Sequence, residues 1–453
     1  VLHLYDTATR EVRALTQREP GHVDIYLCGP TVYGPPHIGH GRATVVYDIL
    51  SRYLEWSGVK VRLVSNVTDI DDHIIERALR ENRPWSEIAH HCEQVWFEAM
   101  GKLGVRTPTH IPHATEYVEQ MVEMIGMLVV SKSAYVIGDG VYMDTTRVSD
   151  YGMLAHQPLE EMLSGGGDRQ VVGSAEKRNF ADFVLWKFSK PGEPSWPSPW
   201  GAGRPGWHSE CVVMSLAILG EDFDLHCGGM DLIFPHHENE RAQAVALGKT
   251  FAHHWMHHAF IVDTEGIKMS KSLGNVDNLV DFVEHYDPRA YRMLLLQTHY
   301  RSPVKVSQDT IDAAVKSVAG LDAFASRMSE LPTQPPDPAV IARFREIMDN
   351  DMDTPVATAH IFDTVRLANT ALDQGDTNRA ASLGAAVIDM FGAVGLMLNT
   401  AANVDAAIVR RAEELDAARA AKDFSTADAI RDELQAAGFL IETTKDGTRV
   451  RRG

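Results

Sequence analysis

The stretch Val23–His40, "VDIYLCGPTVYGPPHIGH", decides the fold. Val23–Leu27 is a short apolar run that reads as a strand, and it enters a turn rich in glycine and proline. A helix follows from about His37 to Ser57, with apolar residues spaced at Val45, Val46, Ile49, Leu50 and Tyr53. "VKVRLVSNVTD" (Val59–Asp69) then alternates as a second strand, and "IDDHIIERALREN" (Ile70–Asn82) reads as a second helix. This order predicts a parallel α/β unit, whose ligands sit at the carboxyl ends of its strands. Both "CGPTVYGPPHIGH" and "NVTDIDD" fall at such ends.

Further along, the pattern becomes mixed from about Ala114 to Gly206, with loops at "SGGGDRQ" and "KPGEPSWPSPWGAGRPGW", as expected of an insertion within the α/β domain. The α/β pattern resumes with a helix at Cys211–Leu219, a strand and turn at "FDLHCGGMDL", and a helix opened by "PHHENERAQAVAL". After Ser307 nearly everything reads as helix, "LPTQPPDP" (Leu331–Pro338) is the clearest linker, and a small charged unit begins near Ala401. No repeat or low-complexity tract interrupts this.

The chain has 453 residues, enough for several domains. It contains no apolar run of eighteen residues, so no membrane partner is expected. Its first residues, "VLHLYDTATREVRAL", do not read as a signal peptide, and a cytoplasmic location is the expectation. The four cysteines are scattered, so a metal site would have to be assembled by the fold rather than by a compact motif. A net charge of −19 argues against general nucleic-acid affinity, which needs clustered Lys and Arg.

"PPHIGHGR" places His37 and His40 on one face of a helix start, where free N–H groups attract an anion and Gly39 permits close approach of a nucleotide. As a bare tetrapeptide it is equally a polar helix cap. "EGIKMSKSLGN" carries Lys268 and Lys271 around Ser270, charge suited to a pyrophosphate leaving group, although a basic loop in solvent reads the same way. "GGMD" offers Asp231 at a strand end, either as a ribose partner or as part of a buried turn.

"FPHHENER" (Phe234–Arg241) puts His236 and Glu240 four apart on one helical face, with His237 turned away by about a third of a turn. Cys28 ends the first strand and Cys211 opens the second α/β half, so the fold can bring these segments to one end of the sheet. Two thiols, an imidazole and a carboxylate suit Zn²⁺. Four protein ligands fit a closed structural ion as well as a substrate-binding one.

HIGH (His37–His40) together with KMSKS (Lys268–Ser272) resembles the two signatures of class I aminoacyl-tRNA synthetases. "CGPTVYGPPHIGH", "NVTDIDD", "RPGWHSEC", "GGMDLIFPHHENE" and "KMSKSLGN" together look like the cysteinyl-tRNA synthetase family, and the similarity runs from near Leu2 to "GTRVRR". The resemblance implies a Rossmann-like catalytic domain in two halves (1–113 and 207–255) around an inserted connective, acceptor-end domain (114–206). A KMSKS-bearing stem-contact region (256–310), a helical bundle (311–400) and a C-terminal anticodon-binding domain (401–453) follow. It implies ATP with Mg²⁺, L-cysteine and tRNA(Cys) as partners, with a monomer expected. Cysteine would be activated as the adenylate and passed to the 3′ end of the tRNA. His37, His40, Lys268 and Lys271 would act in catalysis, with Gly39 and Asp231 completing the nucleotide site. Cys28, Cys211, His236 and Glu240 would hold one Zn²⁺ that recognises the substrate thiol, with Thr68 and Trp207 as pocket walls. Such an ion would reject serine, which a plain pocket separates from cysteine by only about 10²-fold. A ligase passing cysteine to an amino-sugar, or a non-catalytic tRNA- or zinc-binding paralogue, are the competing readings.

The chain departs from this family at several places. His258 and Ala259 replace a usual small-Gly pair, His73 replaces a lysine, Cys227 stands where glycine is usual, and Val450 stands in place of a Trp. Cys92 reads as a packed thiol, and the four histidines of "FAHHWMHHAF" belong to the segment before KMSKS rather than to a second metal. In the last segment Arg419, Lys422 and Phe424, with Lys445, Arg449, Arg451 and Arg452, could contact phosphates and stack on a tRNA base, or form an ordinary solvated face.

Overall fold

The structure is a computed structural model that describes residues 1–156, 176–263, 265–266, 278–399, 406–444 and 447–452. It divides into two compact units. One comprises Val1–Ile311, Arg345–Thr358 and Ala393–Gly395, and the other Asp312–Phe344, Ala359–Gly392 and Leu396–Gly453.

In the first unit β1 (His3–Asp6) and β2 (Glu11–Ala14) form an antiparallel pair. Next come β3 (His22–Leu27), α1 (Ile38–Trp56), β4 (Lys60–Ser65), α2 (Asp72–Glu81), α3 (Trp85–Lys102) and α4 (Val118–Val130). An antiparallel sheet of β5 (Ala134–Ile137), β6 (Gly140–Met143), β7 (Phe183–Phe188) and β8 (Gly203–Pro205) follows. Then α5 (Trp207–Leu219), β9 (Leu225–Gly229), α6 (Glu238–Ala246) and β10 (His254–His258) return to the main sheet. That sheet is parallel, in the order β10-β9-β3-β4. β3 therefore lies between a strand from before the antiparallel sheet and one from after it.

Strands covered on both faces read as continuous apolar runs, and β3 obeys this, with Val23 to Leu27 all buried. The sheet packs on α5, whose apolar residues leave no polar stripe, so the helix is buried almost all round. Tyr26, Val64, Val212, Met214, Phe223 and Trp255 form one core there, while Ile125, Leu128, Val141, Leu185 and Trp186 form another under the antiparallel sheet. Cys92 is buried within α3. The chain kinks at Phe234, whose backbone is extended, before α6, so "PHHENER" does not open as the regular α-helix expected.

The second unit is helical, as expected after Ser307, until its end. The α-helix Phe424–Ala436 carries Asp423 as its N-cap, accepting from Thr426 N–H. Beyond it an antiparallel hairpin, Phe439–Thr444 with Gly447–Arg452, replaces the expected helix. β-branched residues on both sides of a two-residue connection favour it. Ile441 and Val450 pack against Leu415, Ala418, Ile430 and Leu434, so the Val450 side chain serves a small core.

Within the first unit, Asp48 of α1 ties three segments together. Its carboxylate receives Arg292 Nη2 at 2.7 Å, Arg52 Nε at 2.8 Å and the Arg106 N–H at 3.1 Å. Arg292 and Asp48 are both nearly inaccessible to solvent. Removing one partner of such a pair strands the other charge, at a cost of about 3–5 kcal/mol. Asp48→Ala is expected to lower the denaturant midpoint of the catalytic unit accordingly, measured by unfolding followed with tryptophan fluorescence.

Candidate active site

The carboxyl ends of β3, β9 and β10 open onto a cavity of about 550 Å³. Its lining includes Cys28 and Gly29 after β3, His37, Gly39 and His40 at the start of α1, and Gly228, Gly229 and Asp231 after β9. The position is the one the strand order dictates, since the sheet's connections diverge on either side of β3. Gly29 is required by packing: a Cβ there would lie 1.7 Å from Asn66 O.

His37 is the N-cap of α1. Its ring accepts from the His40 N–H while His40 Nδ1 accepts from the His37 N–H, so the two imidazoles form a reciprocal capping box. Their rings stack at 3.6 Å and sit over Gly39, where a Cβ would meet the His37 ring. The polar cap expected of the tetrapeptide is therefore present, and both residues also line the cavity. Asn278 bridges to His37, and the Leu279 N–H donates to Pro36 O at 3.1 Å. Lys268 and Lys271 lie outside the described residues.

Beneath the cavity, Cys28, Cys211, His236 and Glu240 converge, their donor atoms all within 4.8 Å of one another. Cys28 Sγ lies 3.7 Å from Cys211 Sγ and 3.4 Å from Glu240 Oε1, and His236 Nε2 lies 2.9 Å from the same oxygen. Burial acts to raise the Cys211 thiol, but hydrogen bonds from Cys28 and His236 override it and hold its pKa at about 6. Burial and the neighbouring Cys211 push Cys28 well above the usual thiol range. For His236 burial acts downward, and the Glu240 carboxylate and Cys211 overcome it, pushing the imidazole up to about 10. Glu240, despite burial that works the other way, is held well below the carboxylate range by His226 and His236. Two acidic donors and one imidazolium thus share the available protons, leaving soft and hard ligands that a divalent cation could replace the protons on. The donor set fits Zn²⁺.

Two donors escaped the sequence reading. His237 does not turn away: the chain kinks at the extended Phe234 before α6, and His237 Nε2 lies 3.3 Å from Cys28 Sγ. Its Nδ1 lies 2.8 Å from His257 Nε2, and His257 Nδ1 lies 2.7 Å from Thr7 Oγ1. His226 Nε2 meets Glu240 Oε2 at 2.6 Å, so Cys28, His226, His237 and Glu240 form a second possible donor set sharing two members with the first. The only available signal was a histidine just before "CGGMD", too common to single out. Trp207 stacks on His236 at 3.9 Å and also lines the cavity, whereas Thr68 is buried and donates to Glu210 Oε2 at 2.8 Å. Asp231 lies in the 3₁₀ turn after β9. In the second unit Phe424 is exposed, and Arg419 Nη1 donates to Thr448 Oγ1 at 2.8 Å.

The strand order, the HIGH capping turn and the cavity above β3 define a class I tRNA synthetase fold. A family model for the class I (C) tRNA synthetase catalytic domain matches residues 14–316, and one for the DALR domain matches residues 343–399. Among solved structures, Mycobacterium tuberculosis methionyl-tRNA synthetase in complex with methionyl-adenylate superposes with a TM-score of 0.62 at 16% identity, covering 82% of this chain and 89% of that one. The ternary Agrobacterium radiobacter K84 LeuRS–tRNA–LeuAMS complex gives 0.62 at 10% identity, over 84% and 85% of the two chains. These two share the fold alone. The Streptomyces coelicolor cysteine–tRNA ligase is 41% identical over 99% of this chain and 75% of its own length. That of Streptomyces avermitilis is 40% identical over 99% and 98%. The chain belongs to the cysteine–tRNA ligase family.

Tyr47 of α1 holds the glycine turn of this site in place. Its Oη accepts the Gly228 N–H at 3.1 Å and lies 2.7 Å from Gly228 O and 2.9 Å from Met256 O. Tyr47→Phe leaves these buried backbone groups short of a partner and is expected to cost about 1–3 kcal/mol, read as a lowered unfolding midpoint.

Proposed function

We infer that this chain joins L-cysteine to the 3′ end of tRNA(Cys) at the expense of ATP, through cysteinyl-adenylate and pyrophosphate. The observation that carries this reading is Cys28, which belongs both to the buried donor cluster and to the cavity wall, so a substrate in the cavity reaches the cluster directly. We read Cys28, Cys211, His236 and Glu240 as the ligands of one Zn²⁺. When bound, the ion supplies a soft Lewis acid for the thiolate of cysteine, a preference that the hydroxyl of serine cannot satisfy.

The remaining roles belong to the same proposal. His226 fixes the Glu240 carboxylate, and the His237–His257–Thr7 chain fixes the ring beside Cys28. Trp207, stacked on His236, walls the amino-acid end of the pocket, and Thr68 supports it through Glu210. The cysteine carboxylate attacks the α-phosphorus of ATP in line, and pyrophosphate departs with Mg²⁺. His37 and His40 at the helix start, with Lys268 and Lys271, stabilise the charge on the transferring oxygens, while Gly39 and Asp231 receive the adenosine.

We assign residues 114–206 to the acceptor end of tRNA, 256–310 to its stem and 401–453 to the anticodon, with Phe424 for stacking and Arg419 for phosphate. The enzyme is proposed to act as a cytoplasmic monomer; no described helix is long and apolar enough to cross a membrane. An amino-sugar acceptor is disfavoured, because the Streptomyces avermitilis relative, matched almost from end to end, is a cysteine–tRNA ligase.

Cys211→Ser tests the thiol reading. Zinc content is expected to fall from about one per chain to a small fraction, and cysteine-dependent ATP–pyrophosphate exchange to fall at least about 10²-fold. Full exchange in a zinc-free protein would refute metal recognition of the thiol. Exchange without tRNA charging would remove the tRNA acceptor.

A further inference from the structure

His258 is a buried polar side chain in the cavity that the mechanism above leaves unused. It closes β10 directly opposite Gly229 of β9, and its ring lines the cavity beside Gly229 and Asp231. Nδ1 lies 2.9 Å from Ala259 O, and a carbonyl oxygen can only accept, so Nδ1 carries the proton. Burial and the neighbouring Arg42 guanidinium keep the ring neutral, lowering its pKa to about 4. Nε2 therefore presents a lone pair, and it is buried without a hydrogen-bond partner among the described residues. A buried acceptor left in this condition is destabilising unless something that enters the site supplies a donor.

The geometry narrows what that donor is. A Cβ placed on Gly229 would lie 2.4 Å from Asp231 Oδ1 and 3.5 Å from His258 Nε2, so two acceptors converge over one glycine. A cis-diol offers two hydroxyl donors on adjacent carbons and matches such a pair, whereas the amino group of a purine offers its donors from one atom.

We propose that His258 Nε2 accepts a hydrogen bond from a ribose hydroxyl of ATP, sharing the cis-diol with Asp231 and sharpening selection of ATP over deoxynucleotides. This rests on the assignment of the cavity to ATP. The interaction forms in the bound nucleotide and persists through adenylate formation, so it acts on nucleotide affinity rather than on the chemical step.

The test is cysteine-dependent pyrophosphate exchange with ATP, 2′-deoxy-ATP, 3′-deoxy-ATP and N6,N6-dimethyl-ATP, using the wild type, His258→Ala and His258→Gln. The wild type is expected to disfavour at least one deoxy analogue about tenfold in kcat/KM, equivalent to ~1.4 kcal/mol. His258→Ala is expected to raise KM for ATP about tenfold with kcat little changed, and to lose that discrimination, while His258→Gln, whose amide oxygen can accept, recovers part of it. The proposal falls if His258→Ala keeps full discrimination against both deoxy analogues, or if the loss appears with the dimethylated base instead. It also falls, without recourse to any variant, if the wild type uses both deoxy analogues as well as ATP. Absence of exchange in the wild type with every nucleotide would instead overturn the ligase reading itself.

Discussion

The parallel pairing of β3 with β9 is the contact on which the site depends. Ile25, Tyr26 and Leu27 face Leu225, His226 and Cys227 in register, and the Cys28 N–H continues the ladder to Cys227 O at 3.2 Å. These strands belong to segments separated by the whole antiparallel sheet. Their pairing brings Cys28 beside the glycine turn at Gly228 and sets His226 under Glu240. A slip of one residue would turn His226 and the flanking core side chains to the opposite face. Tyr47, reaching from α1 to the same turn, ties that cavity-lining helix to this junction and couples the helix start to the glycine turn.

What the junction assembles is electrostatically expensive. A carboxylate, the Cys211 thiol and several imidazoles are buried together beside the half-buried Cys28, an arrangement that costs free energy unless every charge is matched. Glu240 shows how the matching is done: His236 and Cys28 approach one oxygen and His226 the other, so its lone pairs are engaged from three sides. His237 is held well below the ordinary imidazole range by burial and the adjacent His226, and so stays neutral beside Cys28. Fixing the His237 ring through His257 and Thr7 adds rigidity beside Cys28. Selection of a thiol over a hydroxyl needs this kind of stiffness, because the two substrates differ little in size and the discrimination resides in the quality of one bond.

Much of this was legible in the residues, for reasons that can be named. β3, α1 and β4 follow from period and from the Gly-Pro turn, because a parallel sheet buries both faces of its strands and leaves a strong apolar signature. Element order allowed Cys28, Cys211, His236 and Glu240 to meet at one sheet end, and the family resemblance singled them out. His237 and His226 could not be placed in this way. Their placement depends on a kink at Phe234 and on strand register, neither of which has a composition signal. The closing hairpin was missed for a related reason: "AIRDELQAAGFLIETT" passes from helix to strand with only Gly438 to mark the change. Val450 illustrates the limit of residue-by-residue comparison, since its neighbours show it to be a packing position in this chain.

The acidic balance of the chain can be reconciled with a nucleic-acid substrate through the strength of its surface pairs. In the terminal unit Arg411 is held by Glu414 and Glu433, Arg431 by Asp428, and Arg419 by Thr448 with Asp416 nearby. Exposed pairs of this kind contribute little to stability, so a phosphate can displace the carboxylate partner at small cost. The same carboxylates remain close enough to weaken the grip on phosphate once it is made. With a net charge of −19 around them, these arginines cannot sustain strong non-specific binding, which scales with the number of phosphates neutralised. On the role proposed for Phe424, which stands exposed at a helix start, affinity comes from shape and from a few stacked bases. An enzyme that has to release its acylated product after each turnover is better served by this division, with weak charge contacts for approach and local contacts for choice, than by a uniformly basic face.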